Sequence, residues 1–139
     1  MMRVIILAFL TIFSLNCLAE DYVRFTGLSW HDTPGNNPIN AGVGFEVEHN
    51  KDWAWTGGVY RNSEWNYSWY AGARYTFYKD SDWNIGLIGG AVTGYRAFSV
   101  IPMVMPDVCW NYLCVGALPK VSKDGSNVVA FSVKLPIQY

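Results

Sequence analysis

Two histidines, His31 and His49, are the side chains of this 139-residue chain best suited to move a proton at neutral pH. A serine hydroxyl becomes a nucleophile when such a base takes its proton, and the candidate is Ser63, in a polar stretch that also holds Asn62. A histidine and a serine in polar stretches are usually solvated surface residues. Whether this pair does chemistry therefore depends on whether the fold brings the two side chains together.

The elements that must position them are strands, because apolar and polar residues alternate along most of the chain. The alternation predicts eight strands, at about 22–30, 40–49, 53–62, 66–78, 83–95, 100–106, 112–118 and 127–139. Short polar turns separate several of them, which favours antiparallel neighbours. The predicted fold class is all-β, an eight-stranded antiparallel up-and-down barrel in a single domain.

The composition favours a barrel of the outer-membrane type. Aromatic residues make up 17% of the chain and charged residues only 15%, and tryptophans fall at predicted strand ends, at Trp30, Trp53, Trp65 and Trp83. The last strand alternates apolar and polar residues and ends on an aromatic one, as strands of transmembrane barrels do. The alternative is a soluble lipocalin-like barrel with its apolar residues turned inward.

The N-terminus has the pattern of a secretory signal peptide. Arg3 is followed by an apolar run, and the small residues Cys17 and Ala19 precede a cleavage site before Glu20. A membrane anchor would need about 20 apolar residues, and lipidation of Cys17 fits poorly because Asn16 precedes it. We therefore expect residues 1–19 to be removed and residues 20–139 to form the barrel.

Charge and cysteine content narrow the function classes. The formal net charge is -1, which gives no reason to expect nucleic acid as a partner. The sequence has no metal-ligand cluster, phosphate-binding glycine loop or dinucleotide motif, so no cofactor or metal is predicted. We expect the protein to be a monomer. Cys109 and Cys114 flank a predicted turn; in an oxidising compartment they either close a disulfide or remain two buried thiols.

Strand parity predicts which loops share a rim. If the N-terminus is periplasmic, odd-numbered strands end at the outer rim and even-numbered strands at the periplasmic rim. His31 follows strand one and the pair Asn62 and Ser63 follows strand three, so these residues are predicted to lie on the same outer rim. His49 follows strand two and is predicted to lie at the opposite end.

Several short segments resemble the lipid A palmitoyltransferase (PagP) family, in the same order along nearly the whole predicted mature chain. These segments are 28–31 (LSWH), 37–45 (NPINAGVGF), 58–63 (GVYRNS), 70–75 (YAGARY), 84–87 (NIGL), 91–94 (AVTG) and 101–106 (IPMVMP). The resemblance implies an eight-stranded outer-membrane barrel that moves an acyl chain from a phospholipid onto lipid A. The family's catalytic His and its Asp-Ser pair fall, by motif, on His31, Asn62 and Ser63.

The chain departs from the family pattern at two positions. The family's Asp is Asn62 here, and Asp32 is a possible substitute for it; Arg74 lies near the position that sets acyl-chain length, on the predicted inward face. A buried arginine needs a partner such as Glu46 or Glu48. Two hypotheses follow: an acyltransferase, in which Ser63 attacks the ester or His31 activates the acceptor hydroxyl directly, and a non-enzymatic envelope barrel that keeps the scaffold.

Overall fold

Eight antiparallel strands form a closed barrel in which each strand pairs with its neighbours in the chain and the last pairs with the first. The computed structural model describes residues 20–120, 123 and 125–138. The strands are β1 (Asp21–His31), β2 (Ile39–Glu48), β3 (Trp53–Arg61), β4 (Tyr67–Lys79), β5 (Trp83–Thr93), β6 (Val100–Trp110), β7 (Leu113–Leu118) and β8 (Val128–Ile137). The barrel prediction is confirmed. The predicted signal peptide, residues 1–19, lies outside the described residues.

One strand is clearly longer than predicted. β6 continues to Trp110 because the alternation of buried and exposed residues persists past Pro106, with Asp107 and Cys109 buried inside the barrel. β5 instead ends at Thr93, one residue before Gly94, whose φ of 87° breaks the extended conformation. The other strand ends agree with the prediction to within two residues.

Two short turns on one rim close in the same way. The side-chain oxygen of Asn50 accepts hydrogen bonds from the backbone N–H groups of Asp52 and Trp53. The Asp80 carboxylate accepts the corresponding bonds from Asp82 and Trp83. Such side-chain caps suit tight polar turns between antiparallel strands. This rim, which also carries the start of β1 and the end of β8, is called the inner rim; the opposite one is the outer rim.

The outward face of the barrel is apolar and aromatic. The exposed aromatic side chains are Phe25, Trp30, Phe45, Trp53, Trp55, Trp65, Tyr67, Trp69, Phe77, Tyr78, Trp83, Phe98, Trp110, Tyr112 and Phe131. They lie near both rims, with Val, Leu and Ile residues also exposed around the wall. This exterior, with charged residues turned into the lumen, is typical of transmembrane barrels.

The described part of the chain contains no helix long and apolar enough to cross a membrane.

The hairpin of β6 and β7 carries a disulfide. Cys109 and Cys114 face each other across the two strands and are joined through their sulfur atoms. Asn111, with a φ of 51°, supplies the left-handed residue that the tight turn requires. Of the two alternatives for these cysteines, a disulfide or two buried thiols, the disulfide is confirmed. Both cysteines are buried in the lumen.

The same two strands separate toward the outer rim. The described pairing of β6 with β7 covers four residue pairs, from Asp107 with Gly116 to Trp110 with Leu113. Pro106, the next residue of β6 toward the outer rim, has no N–H group to continue the ladder. Pro102, four residues closer to that rim, also lacks one. The outer half of β6 is therefore bonded to β5 alone within the described residues.

Candidate functional site

The outer half of the lumen contains a cavity that opens at the outer rim. Its walls are apolar and its mouth is polar. The wall side chains are Ile88, Met103, Met105, Leu118, Val128 and Ala130, and the mouth side chains are Ser29, His31, Asn40, Tyr60, Ser63 and Tyr95. The deepest β1 residue that lines the cavity is Arg24. The cavity is therefore amphipathic, with polar groups at both ends of an apolar tube.

A bulge in β1 turns His31 into this cavity. Relative to β8, β1 contains one extra residue at Gly27, because Thr26 pairs with Ser132 but Leu28 pairs with Phe131. Side chains alternate along a strand, so one extra residue reverses the faces beyond it. Arg24, Thr26, Ser29 and His31 consequently all line the lumen cavity. Without the bulge, His31 would share the outward face of Phe25.

The orientation of the His31 ring is fixed by a chain of hydrogen bonds. Asn40 donates from Nδ2 to the backbone carbonyl of Arg61 over 2.8 Å, which leaves its Oδ1 facing Ser29. The Ser29 hydroxyl donates to that oxygen. Since a hydroxyl has a single proton, Ser29 Oγ must accept the bond that joins it to His31 Nε2 over 2.8 Å. With the Ser29 proton directed to Asn40, this contact favours a proton on Nε2 of neutral His31.

The other ring nitrogen, Nδ1, is enclosed beside the loop that follows β1. His31 Nδ1 is buried and has no hydrogen-bond partner among the described residues. The backbone carbonyl of Asn37 lies next to the ring and would stabilise a proton taken up there. A histidine fixed by one nitrogen and free at the other has the arrangement of a general base. Nδ1 is therefore the atom of this site most able to accept a proton.

Ser63 lies at the same cavity mouth as His31, as topology predicts. Its hydroxyl neighbours that of Tyr95, which lies 3.1 Å from the Tyr60 hydroxyl. Its backbone carbonyl accepts a 2.8 Å bond from the N–H group of Asn37, so the first two outer loops are tied together. The hydroxyl that His31 contacts is that of Ser29 rather than Ser63, and a catalytic role for Ser63 remains a prediction.

Asn62 is fully buried below its loop, and its amide is saturated with hydrogen bonds. Nδ2 donates to the Ser68 hydroxyl over 3.0 Å and to the Gly94 carbonyl over 2.8 Å. Oδ1 accepts from the backbone N–H groups of Glu64 and Asn66. These bonds tie the loop after β3 to the one after β5. The structure thus gives Asn62 a positioning role, and its predicted catalytic role stays a prediction.

Asp32 is engaged elsewhere on the outer rim. Its carboxylate accepts bonds from Ser126 Oγ over 2.7 Å, from the Asn127 N–H over 3.0 Å and from Asn127 Nδ2 over 2.5 Å. These donors lower the pKa of Asp32 to about 2. The carboxylate therefore joins the first and last outer loops, and we call these bonds of Asp32 to Ser126 and Asn127 the clasp. Because Asp32 is engaged in the clasp, it does not take the place of the Asp that the resemblance implies beside His31.

A network of buried ion pairs crosses the lumen beneath the cavity. Arg24 contacts Glu46 at 3.3 Å and Asp107 at 3.0 Å. Arg74 contacts Asp107 at 3.0 Å, and Lys134 pairs with Glu46. The network closes the barrel beneath the cavity, so the cavity floor is charged.

The prediction that Arg74 pairs with Glu46 or Glu48 was wrong. Its guanidinium binds Asp107 rather than Glu46 or Glu48, because β6 extends further than predicted and carries this carboxylate to the same level of the lumen. Further bonds to Thr76 and Asn84 satisfy the remaining donors. Gly86 leaves room for the guanidinium, since a Cβ there would lie 2.6 Å from it. The inward direction of Arg74 agrees with the predicted alternation.

The cluster with potential metal-ligating atoms, among the residues that the structure describes, is Asp107, Cys109 and Cys114. The two sulfur atoms are joined in the disulfide, and the carboxylate is bound to two arginines. A divalent cation needs thiolates or free carboxylate oxygens, and this cluster offers neither. These residues do not fit a metal site.

Sequence reasoning missed Ser29, Asn40 and Arg24 as components of the site. Ser29 could have been found, since it lies two positions before His31 and therefore on the same strand face. Asn40 and Arg24 required the register of β1 with β2 and the bulge at Gly27. No local pattern reveals these features.

Together, the strands and the lumen define a closed eight-stranded barrel with an apolar exterior and a polar, partly open interior. A solved structure similar to this chain is the solution NMR structure of the de novo designed TMB2.3, with a TM-score of 0.65 and 12% sequence identity. The match covers 87% of this chain and 97% of that chain, and at this identity it shows the fold alone. No protein-family model and no curated protein matches the chain.

Proposed function

We propose that this protein is an outer-membrane acyltransferase that moves a fatty acyl chain from a phospholipid to lipid A or a related acceptor. The observation that carries the proposal is the free Nδ1 atom of His31 at the mouth of an apolar cavity. The apolar exterior suits an outer-membrane location. The acceptor class comes from the resemblance to the lipid A palmitoyltransferase family.

The apolar cavity is suited to an acyl chain. Burial of each CH₂ group contributes about 0.8 kcal/mol, and the thioether side chains of Met103 and Met105 adapt readily to a flexible chain. A phospholipid in the bilayer must pass its chain through the barrel wall. The separation of β6 and β7 toward the outer rim offers such a path, since Met105 and Leu118 line the cavity from its two sides.

His31 would act directly on the acceptor. Nδ1 takes the proton of an acceptor hydroxyl, whose oxygen attacks the carbonyl carbon of the phospholipid ester. The new acyl–oxygen bond forms, the bond to the glycerol oxygen breaks, and the proton on His31 passes to that oxygen to give a lysophospholipid. The Ser29 contact holds the ring during both transfers. In this mechanism Ser63 need not become acylated.

The hydroxyl groups at the mouth would stabilise the tetrahedral intermediate. Ser63 and Tyr95 lie side by side there, and a well-placed donor to an oxyanion contributes about 3–4 kcal/mol. Ser63 is then an oxyanion donor instead of a nucleophile, and Asn62 supports it by holding the loop. A Ser63→Ala change would lower the rate without abolishing it.

Mass spectrometry of lipid A and phospholipids tests the proposal, in cells that lack their own lipid A acyltransferase. With this protein, an acceptor should gain the mass of one acyl chain, and His31→Gln should remove that gain. His49→Gln is the matched control because His49 is exposed at the opposite rim and should retain the activity. A folded protein in the outer membrane that changes no lipid would refute the acyltransferase.

A second candidate is a non-enzymatic envelope barrel. The ion-pair network across the lumen favours it, since this network joins five strands of the barrel and serves no step of acyl transfer. In the same experiment this candidate predicts unchanged lipids. Loss of envelope integrity in a deletion strain, restored equally by the wild type and by His31→Gln, would support it.

A further inference from the structure

We infer that the floor of the cavity is a carboxylate-binding site built on Arg24, which takes a free medium-chain fatty acid with its carboxylate pointing into the barrel. This inference concerns the floor of the cavity and does not rest on the proposed transfer at its mouth. It assigns a ligand chemistry to a charged group that the transfer reaction leaves unused.

The guanidinium of Arg24 has a buried donor without a partner. Its Nη2 atom binds both Glu46 and Asp107, whereas no described residue accepts a hydrogen bond from its Nε. The side chain is only 4% exposed and lines the cavity. A buried N–H group without a partner is costly. A ligand oxygen at the floor would remove that cost.

The buried charges are also unbalanced. Of the charged side chains that the structure describes, five are buried: three cations, Arg24, Arg74 and Lys134, and two carboxylates, Glu46 and Asp107. Glu48 and Lys79 lie nearer the inner rim and neutralise each other at 3.1 Å. One positive charge of the network is thus uncompensated. A single carboxylate would neutralise it, which favours a monoanion over a phosphate.

The rest of the cavity defines the remainder of the ligand. Above Arg24 the walls are mostly apolar, which suits an aliphatic chain. A rise of about 3.3 Å per residue and a strand tilt of about 40° place Arg24 and His31 about 15 Å apart along the barrel axis. This distance is comparable with the length of an extended chain of about ten carbons. The Tyr70 hydroxyl lies against Gly44, the partner of Arg24 across β1 and β2, and adds a polar group at the floor.

The test uses the full barrel in lipid nanodiscs with ¹³C-methyl-labelled methionines, titrated with decanoate and with 1-decanol. Met103 and Met105 line the cavity, so their signals report a ligand inside it. Decanoate should bind at least tenfold more tightly than decanol. Arg24→Gln should weaken decanoate at least tenfold and leave decanol within twofold. Equal affinities of the wild type for the two ligands would overturn the inference.

Two control variants isolate the contribution of the cavity floor to decanoate binding. Lys79→Gln removes one positive charge outside the cavity and should leave decanoate binding unchanged. His49→Gln alters an exposed side chain at the opposite rim and should also leave it unchanged.

A measurement on the wild type covers the case in which Arg24→Gln does not fold. The ¹³C carboxyl signal of bound decanoate should remain that of the ionised form at a pH where decanoate in protein-free nanodiscs is protonated. Protonation at the same pH in both samples would overturn the inference.

Discussion

His31 Nε2 and Ser29 Oγ lie 2.8 Å apart on the same inward face of β1. The bulge at Gly27 produces this arrangement, and Asn40 sets the direction of the Ser29 hydroxyl. The contact leaves Nδ1 as the free nitrogen of the ring. The chemistry proposed for the outer rim depends on this one relationship more than on the motif that includes Ser63.

Ser29 should therefore act as a positioning residue. We expect Ser29→Ala to lower the rate of acyl transfer about tenfold, or about 1.4 kcal/mol, because the ring loses the bond that fixes its tautomer and rotation. Ser29→Thr keeps the hydroxyl and should restore most of the rate. Transfer rates of the purified variants in mixed micelles provide the measurement. If the alanine and threonine variants are equally impaired, the effect comes from packing rather than from the hydroxyl.

An acid at position 62, as in the family that the sequence resembles, should destabilise this barrel. In Asn62→Asp the side chain can no longer donate to the Gly94 carbonyl, and a buried carboxylate would face that oxygen. We expect a loss of about 1–3 kcal/mol in the free energy of unfolding at neutral pH. The protonated acid can donate to the Gly94 carbonyl, so the loss should shrink as the pH falls. Denaturant titrations at two pH values measure the change, and equal losses at both would contradict this prediction.

Asp107 should be a principal stabilising carboxylate of the lumen. Asp107→Asn leaves Arg24 and Arg74 without their shared charge partner, and breaking a buried pair costs about 3–5 kcal/mol. Lys79→Met breaks the more exposed pair with Glu48 and should cost less than about 1 kcal/mol. Denaturant unfolding of both variants tests the contrast. Similar losses in the two would mean that the lumen pairs are as weakly coupled as surface pairs.

Strand alternation predicts most of this fold because a barrel wall with an apolar exterior and a polar lumen imposes a period of two. Trp69 and Arg74 face opposite sides of β4 as predicted. The exceptions are the extra residue at Gly27, the register shift between Thr76 and Tyr78 of β4, and the continuation of β6 beyond Pro106. All three depend on the register with neighbouring strands, which a single sequence does not reveal.

The sequence predicts the location of the candidate site but not its hydrogen bonds. Topology brings His31 and Ser63 to one cavity mouth, as expected. The actual contact of His31 with Ser29 and the burial of Asn62 depend on hydrogen bonds across loops that are distant in sequence. The charged floor likewise combines residues from β1, β2, β4, β6 and β8, and no sequence motif predicts such a network.

The clasp between the outer loops should open only in strong acid. Hydrogen bonds from Ser126 and Asn127 lower the pKa of Asp32 to about 2, below its ordinary value. A lowered pKa means that the clasp's contribution is complete above about pH 4 and is lost as the pH falls through about 2. The NMR signal of the Asn127 amide should follow that midpoint, and Asp32→Asn should remove the transition. Asp80→Asn, which alters a turn on the inner rim, should leave it unchanged. A midpoint near 4 in the wild type would show that the carboxylate is free in solution and that the outer loops are not held together by Asp32.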